Sequence, residues 1–228
     1  MCASLVAGAD ELWIAGKSAQ NAFKDVGVVQ LLKAVIRQDV IEAKRLIGSG
    51  VNINALGEGG VTPVLWVFGT HDLKAMKMLL DLGADPDKYA PGAVGEVGFG
   101  PPSWIAAGGG QKEALQLLLD HGANPNLVFG NNSLLMMAIQ EEHLDCAELL
   151  LQHGADINYS NGPLSTFFAA MAHLRFDSVI WVLNHGYTRD LPMARRMIER
   201  EHRRTRPGQE AMKVGALEII DRLIAAQK

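Results

Sequence analysis

Cysteine is almost absent: Cys2 and Cys146 are the only two in 228 residues, too few for a disulfide framework or a zinc knuckle. Aromatics are scarce at 6%, which argues against a core built on large rings. No stretch approaches the roughly 18 consecutive apolar residues of a membrane span. Neither sign of charge dominates. Lys and Arg total 21 against 25 Asp and Glu, a net charge of −4, so no global field draws the chain to nucleic acid. His-Glu-x-x-His, Gly-x-Ser-x-Gly and Cys-x-x-Cys are all missing, and the carboxylates are scattered, which leaves no composition signal for catalysis. Apolar residues, at 48%, and glycine, with 24 copies against a usual ~7%, are what the chain does have. Length and composition fit one folded domain or two small ones, built of short helices and tight turns around Leu and Ala.

Five segments end alike. Arg45–Asn54, Met78–Asp87, Leu117–Asn126, Leu149–Asn158 and Trp181–Asp190 each run from an apolar pair into a glycine, at Gly50, Gly83, Gly122, Gly154 and Gly186. The glycines are spaced by 33, 39, 32 and 32 residues, a repeat architecture. Each reads as a helix end, with glycine supplying the left-handed conformation just past the last turn. In the first four copies an Asn or Asp two residues later suits the start of a β-turn. A second signature lies 21 residues before each glycine. Thr62-Pro63 opens one helix, with Thr62 as N-cap and Pro63 at the first helical position. Pro101, Ser133 and Ser165 are its equivalents, and Val29 is the weakest. Ala34, Ala106, Ala107, Ala138, Ala169 and Ala170 follow where two helices must approach closely. Each unit is predicted to be a short helix, a tight loop, a longer helix, a glycine stop and an extended loop.

This pattern resembles the ankyrin repeat, with its Thr-Pro-Leu-His, Ala-Ala, Leu-Leu and Gly-Ala-Asp-x-Asn signatures. The resemblance covers residues 27–190 in five registered copies. No copy keeps the whole Thr-Pro-Leu-His, and the fifth has Tyr187-Thr188-Arg189 in place of Ala-Asp-x. The implied fold class is all-α: a solenoid of about five helix-turn-helix repeats with hairpin-like loops and a C-terminal helical cap. The domains expected are a lead-in or tether over 1–26, the repeats over 27–190 and the cap over 191–228. Ankyrin units bury Trp66, Trp104 and Phe168, and Trp181 beside its Val-Leu pair joins them.

Three regions depart from the repeat. Tyr89–Gly100 carries about six extra residues; Gly92, Gly95, Gly98 and Gly100 do not spell a phosphate-binding loop, so an elongated hairpin finger is expected. Residues 191–206 read as a helix, Pro207-Gly208 breaks it, and Ala216–Ala226 resumes with apolar Leu217, Ile220, Leu223 and Ile224. Seven Arg against three carboxylates give residues 189–206 a net +4 and leave −8 for the remainder. A solvated cap face explains that run, and an anion-binding or partner-binding patch is the sharper alternative. Ahead of the repeats, Cys2-Ala3-Ser4 suits the mature end of a bacterial lipoprotein, with Cys2 lipidated, as well as an ordinary frayed start.

Histidines invite a metal search. His121, His153 and His185 each precede the helix-ending glycine, so their spacing is that of the repeat, and they suit the free carbonyls and negative dipole of a helix end. His143 and Cys146 share a helix face but bring no further ligand. No metal, cofactor, nucleic acid or small-molecule substrate is expected, and no catalytic residue.

A non-enzymatic protein-binding module is the function that the resemblance implies. Transferring the ankyrin pattern places the partner-binding positions at Glu58, Val61, Thr70, Phe99, Phe129, Asn132, Gln140, Glu141, Tyr159, Leu164 and His173. The architecture, with a possible lipid-anchored periplasmic end, is similar to that of bacterial immunity proteins that neutralise an enzyme such as a secreted phospholipase toxin. A cytoplasmic ankyrin adaptor or regulator with another protein partner is the alternative.

Overall fold

The computed structural model describes residues 13–14, 17–90, 100–172, 175–201 and 208–227. Cys2, Phe99, His173 and most of the expected finger lie outside the described residues. Two compact units divide the chain: residues 1–105 with 113–124, and residues 106–112 with 125–228.

In the first unit a two-residue antiparallel pair, β1 (Trp13–Ile14) and β2 (Lys17–Ser18), leads into the single turn α1 (Ala19–Ala22). Helices α2 (Val26–Ile36) and α3 (Val40–Gly48) form one packed pair, and α4 (Pro63–Gly69) and α5 (Leu73–Asp81) the next. A short 3-10 turn at Glu58–Gly60 precedes α4. Next in the chain come α6 (Pro102–Gly108), crossing the unit boundary, and α7 (Lys112–Asp120). The second unit continues with hairpin β3 (Val128–Phe129) and β4 (Asn132–Ser133), then α8 (Leu134–Gln140) and α9 (Leu144–Gln152). Hairpin β5 (Ser160–Asn161) and β6 (Leu164–Ser165) follows, with α10 (Thr166–Met171) and α11 (Phe176–Asn184). Finally α12 (Leu191–Arg200) packs on α13 (Glu210–Ala226), and α13 on α11. The described residues are thus mostly helical, with helix pairs recurring.

Side-chain caps fix where these helices begin. Thr62 Oγ1 accepts from the Leu65 amide at 3.2 Å and Pro63 takes the first helical position, as the sequence predicts. Ser133 and Ser165 cap α8 and α10 in the same way, at 3.2 and 3.1 Å. The first copy differs. Its helix starts at Val26, capped by the Asp25 carboxylate on the Gly27 amide at 2.8 Å, three residues before Val29. A charged cap outside the repeat register sets that start. Second helices have caps the repeat pattern does not reveal, Asp39 for α3 and Asp72 for α5.

Helix ends follow the glycine rule. Gly50, Gly83, Gly122, Gly154 and Gly186 all have φ between 89° and 100°. The residue after each glycine donates back across the last turn, as Ala84 does to the Leu79 carbonyl at 3.0 Å, which satisfies a carbonyl the helix leaves free. The tighter turn inside the first four pairs is left-handed too, at Gln38, His71 and Glu142, and at Gly110 in the equivalent place.

Both units have Leu- and Met-rich interiors. Leu31, Leu32, Met76, Leu79, Leu115 and Leu118 are fully buried in the first, and Leu134, Leu135, Met136, Ile139, Phe167 and Phe176 in the second. Trp66 is buried as expected, its ring edge-on to Phe23 with centroids 5.9 Å apart. Phe168 is not: it is 43% exposed. It holds the place of the motif's His, where Leu65 and Met136 are buried, but a phenyl ring at this turn of α10 finds no cover. Trp104 and Trp181 are only half-buried. α13 begins at Glu210, six residues before the sequence expectation, and buries Ala216 and Ile220 while Leu217, Leu223 and Ile224 stay half-exposed.

Candidate protein-interaction surface

Extended loops between the helix pairs present the candidate surface, and a row of side chains four residues past the glycines braces them. Asn54 Oδ1 accepts from the Asp85 amide at 2.8 Å, and Asp87 Oδ2 from the Asn124 amide at 2.7 Å, both within the first unit. In the second unit Asn126 Oδ1 accepts from the Asp156 amide at 2.8 Å, and Asn158 Oδ1 from the Thr188 amide at 2.8 Å. Asn126 and Asn158 also donate, from Nδ2 to the carbonyls of Gly154 and Gly186 at 3.0 and 3.3 Å. The turn-starting role read for Asn52, Asp85 and Asp156 is also present, each accepting from the amide two residues on. The long-range row escaped the sequence reading, although its signal was there: a recurring Asn or Asp at one repeat position.

The row has a defined end. Asp190 occupies the next place, but its φ is 41° and its carboxylate accepts from the Met193 amide at 3.2 Å, capping α12. The chain leaves the repeat path there.

In the second unit the two hairpins carry or adjoin four of the eleven expected partner-binding residues. Phe129 pairs across its hairpin with Asn132, and Leu164 with Asn161. Tyr159 sits at the base of the second hairpin, where its carbonyl accepts from the Thr166 amide at 3.3 Å. Phe129, Asn132, Tyr159 and Leu164 are all half-exposed. Glycines with φ of 62° at Gly130 and 60° at Gly162 make the tight tips possible. Gln140 and Glu141 end and cap α8, with Glu141 exposed. Phe168, three residues after β6, adds an exposed ring where the ankyrin pattern predicts burial.

Among the described residues of the first unit are Glu58, Val61 and Thr70. Glu58 is exposed in its 3-10 turn. Thr70 caps the end of α4, its hydroxyl donating to the Val67 carbonyl at 2.6 Å. Val61 is turned inward at 6% exposure, because its carbonyl accepts from the Gly57 amide at 2.7 Å and folds the loop back over it.

Several charged groups are held in ion pairs. Arg175 bridges Glu142 at 2.6 Å and Asp177 at 2.7 Å, and its guanidinium holds the Asp177 carboxyl below the ordinary range. Arg195 is held by Asp221 at 2.6 Å and by Glu199, while Arg196 and Arg200 are exposed on α12. Lys213 is buried with its ammonium 3.4 Å from the Glu201 carbonyl at the end of α12. His121 and His185 sit where the repeat places them, with Nδ1 against the Leu117 and Trp181 carbonyls at 2.8 and 2.7 Å. Among the described residues no three His, Cys, Asp or Glu side chains gather to hold a metal ion, Cys146 is buried, and no helix is long and apolar enough to cross a membrane.

Residues 96–161 match the family model described as ankyrin repeats (3 copies). No curated protein matches the chain. Ankyrin repeats are a non-catalytic scaffold, and the match falls on the stretch that includes α6 to α9 and both halves of the first hairpin. With the capped helix pairs and glycine stops on either side, this establishes that an ankyrin-repeat domain is present in the chain.

Proposed function

We propose that this protein is a non-enzymatic binding module of about five ankyrin repeats that neutralises a partner enzyme by covering a surface the enzyme needs. The observation that carries the reading is the pair of successive hairpins β3–β4 and β5–β6. They hold Phe129, Asn132 and Leu164 half-exposed on hydrogen-bonded strands and Tyr159 half-exposed at the base of the second, and exposed Phe168 follows in α10. Aromatic anchors on a braced frame lose little conformational entropy on binding and dominate interface energies. Glu141 supplies a rim charge, and in the first unit Glu58 is exposed and Thr70 half-exposed. Phe99 and His173 complete the set in the ankyrin pattern.

An immunity role, with a secreted bacterial phospholipase toxin as the enzyme, is the specific form we favour, and Cys2 would tether the domain in the periplasm. Support for it is architectural: a compact repeat module with no catalytic set and a net charge of −8 outside residues 189–206, suited to a basic partner surface. The test is titration of the full chain against a purified secreted bacterial phospholipase toxin, reading lipid hydrolysis and complex formation together. Stoichiometric inhibition that Phe129→Ala and Tyr159→Ala weaken at least tenfold is the expected result. Full inhibition by both variants would move the interface elsewhere, and no inhibition by the unaltered chain would leave the adaptor reading in its place.

A further inference from the structure

Helix α12 has two opposite faces. Leu191, Ala194 and Ile198, spaced three and four residues apart, are buried. Met193, Arg196 and Arg200 have the same spacing on the other side of the helix, and all three are exposed, Met193 at 46%. Arg196 Nη2 donates to Met193 Sδ at 3.9 Å, so cation and thioether lie side by side. Exposed Arg189 stands ahead of this stripe, its amide donating to Asn158 Oδ1 at 3.2 Å. The arginines here are not alike. Arg195 is taken up by Asp221 of α13 at 2.6 Å and by Glu199. Arg189, Arg196 and Arg200 make no ion pair among the described residues. Asp190 is occupied with the Met193 amide, and Glu210 and Glu218 of α13 are exposed without bridging to them.

Guanidiniums without carboxylate partners fit phosphate, whose oxygens match the planar fork and whose charge takes the place of a carboxylate. Met193 selects the source of that phosphate. A thioether gains nothing beside a nucleic-acid backbone, and the stripe has no aromatic ring on which a base can stack. At a bilayer the same side chain leaves water at the boundary between headgroups and acyl chains. We propose that the solvent face of α12 is a docking ridge for an anionic phospholipid surface, with Arg189, Arg196 and Arg200 on headgroup phosphates and Met193 at the acyl boundary. Charge distribution sets the orientation. Residues outside 189–206 carry a net −8, which the same surface repels, so contact is confined to this ridge. The ridge uses neither the hairpin residues nor Cys2, so it stands apart from the proposed inhibition.

The test is sedimentation of the full, unacylated chain with vesicles of phosphatidylglycerol and phosphatidylcholine in equal parts, against vesicles of phosphatidylcholine alone. Each arginine at the surface contributes about fivefold to partitioning, so three give the anionic vesicles an advantage on the order of a hundredfold. Added salt should erode it. Arg196→Glu combined with Arg200→Glu should remove at least about twentyfold of that advantage. Both sites are exposed, and an unchanged melting temperature shows that the fold is kept. Met193→Trp, read as a difference from the unaltered chain, should add emission that shifts to the blue on the anionic vesicles. Equal binding to both vesicles, a double variant that binds as the unaltered chain does, or no blue shift would overturn the proposal. Duplex DNA that binds the ridge more tightly than the anionic vesicles would overturn it too, in favour of a nucleic acid.

Discussion

Asn158 holds the loop around Thr188 through both ends of its amide. Its Oδ1 accepts from the Thr188 and Arg189 amides at 2.8 and 3.2 Å, and its Nδ2 donates to the Gly186 carbonyl at 3.3 Å. This is the one connection of the row that reaches the degenerate fifth copy, where Tyr187 has replaced the usual alanine and turned its ring onto Phe167, centroids 5.5 Å apart. A side chain from the preceding copy therefore supplies the order that the local sequence has lost. Asn158→Ala should destabilise the protein by about 1–2 kcal/mol, the cost of one or two partly exposed hydrogen bonds. Urea melts read the loss, and Asn161→Ala at the neighbouring hairpin tip serves as the neutral control.

Asp87 is the carboxylate in a row otherwise held by amides. Burial pushes its pKa up against the pull of the Asn124 amide, Asp85 adds repulsion, and Ser103 lies 3.5 Å away. Its folded state therefore binds a proton more readily than its unfolded state. The penalty is absent below the unfolded value near 3.8 and grows as pH rises through the folded one. Asp87→Asn keeps the acceptor and adds a donor within the geometry that Asn126 uses toward Gly154. It should stabilise by about 1 kcal/mol at pH 7, with the advantage shrinking toward pH 4. Paired denaturant melts at the two values check both the sign and the window.

Two glycines of positive φ should fail for different reasons. At Gly83, φ is 93° and an added Cβ would meet nothing within 4 Å, so only backbone strain opposes it. At Gly110, φ is 64° and the Cβ would lie 2.5 Å from the His143 ring. Gly83→Val should cost about 1–2 kcal/mol, whereas Gly110→Ala adds the displacement of His143 from the start of α9. Conversely His71, exposed at φ 59°, sits where glycine would relax the turn. Its replacement by glycine should be neutral or stabilising by up to about 1 kcal/mol, part of the gain being offset by unfolded-state entropy. Thermal melts of the three variants rank them.

How much of this was legible in the sequence depends on the kind of signal. Glycine stops and the Thr62 and Ser133 caps are local, with a steric or hydrogen-bonding reason that acts within four residues, and the structure has them where the repeat pattern sets them. The Asn54-to-Asn158 row acts over about thirty residues, and only the recurrence of one residue type could have exposed it. The shift of the first helix to Val26 arises because Asp25 outcompetes the repeat register as a cap. Phe168 was misread for the opposite reason. Position within the motif argues for burial, but burial depends on whether a neighbouring helix is there to cover that particular ring, which periodicity does not encode.

Phe167 and Phe168 are adjacent in sequence and opposite in consequence. Phe167 is 1% exposed and packs on Tyr187, so Phe167→Ala should cost about 3–5 kcal/mol through lost burial and the cavity it leaves. Phe168 is 43% exposed, so Phe168→Ala should cost far less, about 1 kcal/mol or under. If the hairpin face of the second unit is the interface, the same substitution removes an exposed aromatic anchor and should weaken the partner complex by tenfold or more, about 1.4 kcal/mol. The combination discriminates because a merely structural phenylalanine would move both measurements together. Melting unchanged with affinity lost assigns Phe168 to the interface. Melting and affinity both unchanged would take α10 out of it and leave the hairpin tips to carry the contact alone.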